Sequence, residues 1–333
     1  MKTGLTLGKF APLHKGHQYM IETALGEVDK LIVVIYDTDV TDIPLGVRAG
    51  WIRALYPDVT VIEARGGPKG YSHERAYQVR EEEFIRSQIG NTRVTHFYSS
   101  EFYGEHMSRS LNAVDRRVDE ARTIVPVSGS MIRLDPYAYR EYLSLTVYRD
   151  MITSVVFMGA PSTGKSTLTE ALAKKYNTTF ASEYGRDYWT EHQVDRRIPL
   201  ESFDEIAVGH IEREDVQMHS ARQYFFADTN AITTYMFSLD YHGCAPALLT
   251  QIAQQNASRY DLFFLCCDDI PYDDTWDRSG DVKRHVFQQQ IITDLDTLNI
   301  PYIELRGSLD IRISKVESVL AQYRKYPVRL AVD

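Results

Sequence analysis

The sequence predicts an α/β protein of two domains, each opening on a buried strand, a glycine-bearing turn and a helix. Three observations carry this. Strand–turn–helix starts occur twice, at Leu5 and again at Thr153. Each turn holds glycine where the chain must bend sharply. Between the two starts, apolar β-branched runs alternate with stretches of helical period. The 333 residues suit two domains of about 150 each.

The first half begins with a strand over Leu5–Lys9, a turn over Phe10–Gly16 and a helix from His17 to Leu25. Met20, Ile21, Ala24 and Leu25 give that helix its apolar face. Leu31–Tyr36 is a continuous apolar run of the kind buried on both faces of a parallel sheet. Trp51, Ile52 and Leu55 mark a further helix, and Val59–Glu63 and Val94–Tyr98 further strands. Tyr137–Tyr148 has helical spacing and is expected to close a first domain at residues 1–150. The second domain, 151–333, starts with the strand Thr153–Met158 and a helix reaching Lys175. Thr178–Ala181, Tyr224–Ala227, Leu262–Cys267 and Tyr302–Leu305 fit its other strands. Gly66–Arg75 and Ile270–Arg284 read as loops, from their Gly, Pro and Asp content.

Composition narrows the function. A net charge of −9 argues against bulk nucleic-acid binding, so no DNA binding is expected. Three cysteines, two of them adjacent, do not form a disulfide framework and suit a reducing, cytoplasmic setting. No apolar run approaches the ~18 residues of a membrane span.

Gly159-Ala160-Pro161-Ser162-Thr163-Gly164-Lys165-Ser166, followed by Thr167, fits the phosphate-loop pattern G-x-x-x-x-G-K-[ST] in full. The loop wraps phosphate with backbone N–H groups, Lys165 adds a point charge, and Ser166 offers a hydroxyl to Mg²⁺. Such a loop needs an acid for the metal or the nucleophile. Asp228 ends an apolar strand, at the carboxyl edge where ligands bind in these folds. Glu183, Tyr184 and Arg186 follow another strand at the same edge. A carboxylate there would hold a sugar diol or position an acceptor hydroxyl, and Tyr184 would pack on a ring. Arg278 and Arg284, in the late acidic loop, are candidates for a cation delivered to the transferred group, Arg278 being favoured.

In the first half, Gly8-Lys9-Phe10-Ala11-Pro12-Leu13-His14-Lys15-Gly16-His17 holds H-x-G-H between strand and helix. The helix N-terminus offers N–H groups to phosphate, and His14 and His17 flank it as hydrogen-bond donors. Val127–Arg133 is its partner signal: Ser128 or Ser130 caps a helix, and Arg133, placed in the first turn, makes sense facing an anion.

On these motifs the chain resembles the NadR-type bifunctional enzymes. The first half resembles an H-x-G-H nucleotidyltransferase with a Rossmann-like fold, matched at His14, Gly16, His17 and Ser128–Arg133. The other half is similar to a P-loop kinase, matched at Gly159–Ser166, Glu183–Arg186, Ala227–Thr229 and Asp273–Arg278. The resemblance implies that nicotinamide riboside is phosphorylated with ATP and Mg²⁺ at the second site. Nicotinamide mononucleotide is then adenylylated with ATP to NAD at the first. It implies ATP contacts at Gly8, Lys9, Phe10, His14, His17, Ser128, Ser130 and Arg133 in one half, and along Gly159–Thr167 and Arg278 in the other. Riboside would meet Glu183, Tyr184, Arg186 and Asp228; Ser166 and Asp228 would hold the metal; a homo-oligomer is compatible. Arg48 and Trp51 would meet the mononucleotide. Tyr71 would stack on nicotinamide where the family typically offers a tryptophan. The first strand begins within ten residues of Met1, so the helix-turn-helix repressor domain of some members is expected to be absent.

Overall fold

The computed structural model describes residues 1–68, 72–101, 103–195, 197–272 and 281–326, the side chains of 281 and 282 excepted. The chain divides into two compact units, Met1–Tyr148 and Arg149–Lys325. Tyr71 and Asp273–Arg278 lie outside the described residues.

The first unit is built on β1 (Thr3–Gly8), α1 (Lys15–Glu27), β2 (Lys30–Tyr36), α2 (Leu45–Leu55) and β3 (Thr60–Ala64). α3 (Arg75–Ile89), β4 (His96–Ser99), α4 (Gly104–Leu111), β5 (Val114–Arg117) and α5 (Gly129–Leu134) follow. The sheet order is β3-β2-β1-β4-β5, every pair parallel. The chain moves outward from β1 to β3, then returns past β1 to β4. That reversal opens a crevice at the carboxyl ends of β1 and β4, where the H-x-G-H turn lies. Leu5, Leu7, Ile32, Val34 and Phe97 form the sheet's share of a core closed by Ile85 and Ile89 of α3 and Met107 of α4. Each such buried side chain contributes about 1.5–3 kcal/mol.

The segment Tyr137–Tyr148 is not one helix, as its spacing suggests. It forms a 3₁₀ turn at Arg140–Tyr142 and then α6 (Leu145–Met151), with Leu143 extended between them. The strand β5 has no counterpart in the sequence reading, because its residues Val-Asp-Arg-Arg are polar and largely exposed.

The second unit comprises β6 (Thr153–Met158), α7 (Lys165–Lys175), β7 (Phe180–Ala181), α8 (Tyr184–His192), α9 (Ser202–Met218) and β8 (Tyr224–Asp228). α10 (Ala231–His242), α11 (Ala247–Asn256), β9 (Leu262–Cys266), α12 (Asp281–Thr297), β10 (Ile303–Leu305) and α13 (Leu309–Gln322) complete it. Its sheet, β10-β9-β6-β8-β7, is also parallel. Phe157 stacks between Phe226 and Phe264 at 6.0 and 5.7 Å, under Leu168 and Leu172 of α7 and Val316 and Leu320 of α13. A satellite core of Tyr188, Phe203, Ile206 and Leu249 joins α8, α9 and α11 beyond the carboxyl edge. Cys266 and Cys267 are buried in this sheet and free, as the sequence suggests, and Cys244 is free and exposed. Among the described residues, no helix is long and apolar enough to cross a membrane.

Candidate active sites

In the first unit, the turn after β1 delivers His14 as the residue capping α1, so the helix starts at Lys15 rather than at His17. The rings of His14 and His17 stack with centroids 3.7 Å apart, and Phe10 meets His17 edge-on at 4.9 Å. The His14 backbone N–H donates to His17 Nδ1 at 3.4 Å, which leaves the His17 proton on Nε2. Gly16 has no spare room: a Cβ there would sit 3.1 Å from the His14 ring.

Both histidines are held neutral. Burial, and then the positive charge of Arg122, pushes His14 down to about 4. Burial first, then His14 and Arg122, hold His17 well below the usual imidazole range against a hydrogen bond to the Pro12 backbone. Two neutral imidazoles at a helix N-terminus are donors to phosphoryl oxygens rather than proton sources.

Ser128 is the cap of α5, its Oγ accepting from the Met131 N–H at 3.3 Å. Ser130 instead accepts from Arg133 Nη2 at 3.2 Å. Arg133 lies in the last turn of the six-residue α5, not the first, so the dipole argument for an anion partner does not hold. Its Nη1 donates to the Ala11 carbonyl, which ties α5 to the H-x-G-H turn by geometry rather than dipole.

Arg48 and Trp51 are buried at 2% and 1% exposure. Arg48 donates through Nε to the Ile43 carbonyl at 3.0 Å and through Nη1 to the carbonyls of Lys9 and Tyr36. It therefore fastens the ends of β1 and β2 together. Trp51, expected to meet the mononucleotide, is buried on α2. Gly8 and Phe10 are buried beside each other, and Lys9 is half-buried.

In the second unit, the turn after β6 is a complete phosphate loop. Gly159 (φ +144°), Ser162 (+64°) and Gly164 (+81°) supply its left-handed positions. A Cβ on Gly159 would lie 2.5 Å from the Cys266 carbonyl oxygen of β9. Thr163 is fully buried and its hydroxyl donates to the Ala160 carbonyl at 2.8 Å. Lys165 Nζ is folded onto the loop's own carbonyls, Gly159 at 2.9 Å and Ala160 at 3.0 Å. Thr167 is exposed on the first turn of α7.

Asp228 closes β8, one strand away, at 2% exposure. The Ser166 side chain lies near its carboxylate, and Oδ1 has no hydrogen-bond partner among the described residues. Burial, reinforced by Glu183 and opposed by Lys165, raises it to about 6. A buried carboxylate with an orphaned oxygen beside a serine hydroxyl is a donor set that fits a hard divalent cation. Glu183 caps α8 in position and binds Arg186 at 3.0 Å. These two, with Lys165, form the polar side of a cleft whose other wall includes Trp189, Phe203 and Phe237.

The comparisons with known proteins match this picture. The AAA domain model matches residues 154–312. The trifunctional NAD biosynthesis/regulator protein NadR of Salmonella typhimurium is 28% identical over 323 residues, 91% of this chain and 78% of that protein. The protein of the same name from Escherichia coli is 29% identical over 332 residues, with the same coverage. The chain is similar to the NadR proteins over most of its length. Two solved NadR structures, one in complex with NR and one with NAD and AMP-PNP, align with all of this chain and with 98% and 97% of theirs. Their TM-scores are 0.56 and 0.53 at 21% identity, which is a likeness of fold.

Tyr184 does not line the cleft. Its ring packs on α9, where a Cβ on Gly209 would come within 2.4 Å, and Arg213 lies 4.7 Å above it. As the first residue of α8 it packs against the satellite core. Arg284 is not in a loop but on α12, 4% exposed, donating to the Asp268 carbonyl at 3.0 Å and the Ile270 carbonyl at 3.1 Å. Arg278 and Tyr71 lie outside the described residues. The sequence reading missed Arg122, which acts on both histidines, and the aromatic wall of the cleft. Asp119 builds the turn that presents Arg122: it accepts the N–H groups of Thr123, Ile124 and Val125 at 2.8–3.0 Å. That Asx-type turn was the only available signal.

Proposed function

We propose that the chain makes NAD in two steps: the second unit phosphorylates the 5′-hydroxyl of nicotinamide riboside with ATP, and the first adenylylates the resulting mononucleotide with a second ATP, releasing pyrophosphate. The observation that carries this is the pairing of both sites in one chain: an H-x-G-H turn in one unit and a phosphate loop with a facing carboxylate in the other. NadR relatives, named for NAD biosynthesis, cover 91% of it.

In the second unit, the loop amides cradle the β- and γ-phosphates and Lys165 turns from its own carbonyls to them. Asp228 orients or deprotonates the riboside hydroxyl, and Glu183 and Arg186 hold the ribose. Ser166 and Asp228 would hold Mg²⁺, which neutralises phosphate charge when bound. In the first unit, the mononucleotide phosphate attacks the α-phosphorus of ATP. His14, His17 and Arg133 donate hydrogen bonds to the charge that develops, and Ser128 holds the short helix bearing Arg133. Positioning and electrostatics suffice, so no covalent intermediate forms.

Product analysis after mixing the protein with ATP, Mg²⁺ and nicotinamide riboside tests both halves together. NAD and pyrophosphate are the expected products. Mononucleotide alone would remove the first-unit activity, and no riboside-dependent turnover would remove the scheme.

Gly159→Ala is expected to lower kinase activity at least 100-fold and to destabilise the second unit by more than ~1 kcal/mol, because it combines a forbidden φ with a backbone clash. ADP formation and thermal unfolding measure the two effects.

A further inference from the structure

A phosphate loop turns successive amides inward, and its carbonyls therefore face outward. Where the outer side is buried, those carbonyls need donors. Thr163 presents such a carbonyl, and Arg312 of α13 meets it: Nη1 donates to Thr163 O at 2.6 Å. The same guanidinium donates through Nη2 to the Cys267 carbonyl at 3.0 Å and to Asp269 Oδ1 at 2.6 Å, and through Nε to the Gly307 carbonyl at 3.0 Å. Asp269 completes the clamp, its Oδ2 accepting from the Gly307 N–H at 2.7 Å. Arg312 is 2% exposed. One side chain thus fastens the phosphate loop, the end of β9 and the turn entering α13.

The peptide bond gives this contact a consequence. The Thr163 carbonyl and the Gly164 N–H belong to one planar trans unit and point in opposite directions. Fixing the carbonyl outward aims the Gly164 N–H inward, into the space the loop encloses. The φ of +81° at Gly164 leaves that peptide free to rotate if nothing holds it. We infer that Arg312 is a positioning residue for ATP, acting through the Thr163–Gly164 peptide to aim a loop amide at phosphate. This rests on the reading of the second unit as an ATP-using kinase.

The test pairs steady-state kinetics with binding of inorganic tripolyphosphate, which has phosphates but no base. Arg312→Met is expected to raise the KM for ATP at least 10-fold and to weaken tripolyphosphate binding, by calorimetry, by a similar factor. The KM for riboside should stay within twofold, and Arg312→Lys, which keeps one donor, should recover part of both losses. Asp269→Asn should show the same pattern more weakly, and it carries the test if Arg312→Met does not fold. An unchanged KM with a smaller active fraction would make Arg312 merely structural and overturn the inference. So would a raised KM for ATP with unchanged tripolyphosphate binding, which would place the effect at the base. If the wild-type chain shows no kinase activity, the underlying reading fails by itself. The calorimetric arm then still decides whether Arg312 aims the loop.

Discussion

His17→Ala is expected to cut adenylylation of nicotinamide mononucleotide by about 10²–10³-fold, the usual effect of removing one donor from developing transition-state charge. The loss should not stop at one donor. The His17 ring stacks on His14 at 3.7 Å and its Nδ1 accepts from the His14 backbone, so alanine also loosens the second imidazole. Riboside-dependent ADP formation should remain within twofold, because its residues belong to the other unit. Pyrophosphate release and ADP formation, measured on the same sample, check both statements. Equal loss of the two would sink the two-site scheme. The depressed imidazoles also predict a pH profile. His14 titrates near 4, so the adenylylation rate should show no imidazole step between about pH 5.5 and 8. The sign for stability follows. An unfolded histidine binds its proton near 6.5 and the folded ones much lower, so stability falls as pH drops below that value.

The parts of this chain that were legible in its sequence share one property: local geometry dictates their residues. A phosphate loop favours glycine at its ends, here Gly159 and Gly164 with positive φ, and lysine at a fixed offset, so Gly159–Ser166 could be read directly. The central strands could be read because burial on both faces leaves only apolar residues, as in Leu31–Tyr36. What escaped depends on direction rather than position. Trp51 and Tyr184 both turn into packing rather than to solvent, Trp51 at 1% exposure and Tyr184 against the satellite core. A shift of about 100° around a helix separates those outcomes, and the motif alone does not fix it. β5 escaped because an exposed, largely polar strand carries no alternation, and α8 and α9 because part of each apolar face packs on other helices. Arg312 escaped for a third reason: it is 149 residues from the carbonyl it holds. Arg133 shows the reverse, since its place beside the H-x-G-H turn was anticipated on a helix-dipole argument that its position in the last turn removes.

Asp228→Asn separates chemistry from stability at the second site. The carboxylate is 2% exposed, its Oδ1 lacks a hydrogen-bond partner among the described residues, and it titrates near 6 instead of 3.8. Kinase turnover should fall by about 10²–10⁴-fold, the range associated with losing a positioned base. The wild-type rate should decline at acid pH as the carboxylate takes up its proton, and the residual rate of the variant should be flat there. Stability should move the other way. A folded pKa above the unfolded one means that stability present below pH 3.8 is lost as pH rises through 6. The shift corresponds to a cost on the order of 3 kcal/mol at neutral pH. Asparagine carries no charge and avoids that cost, so the variant should melt a few degrees higher at about pH 7.5, with the gain vanishing toward about pH 4. A variant that keeps full turnover would remove Asp228 from the chemistry. One that is inactive but no more stable would show that the buried charge is already compensated in the free protein. A raised melting temperature together with lost turnover is the signature of an acid kept ionised in an unfavourable place because the riboside hydroxyl and the metal need it there.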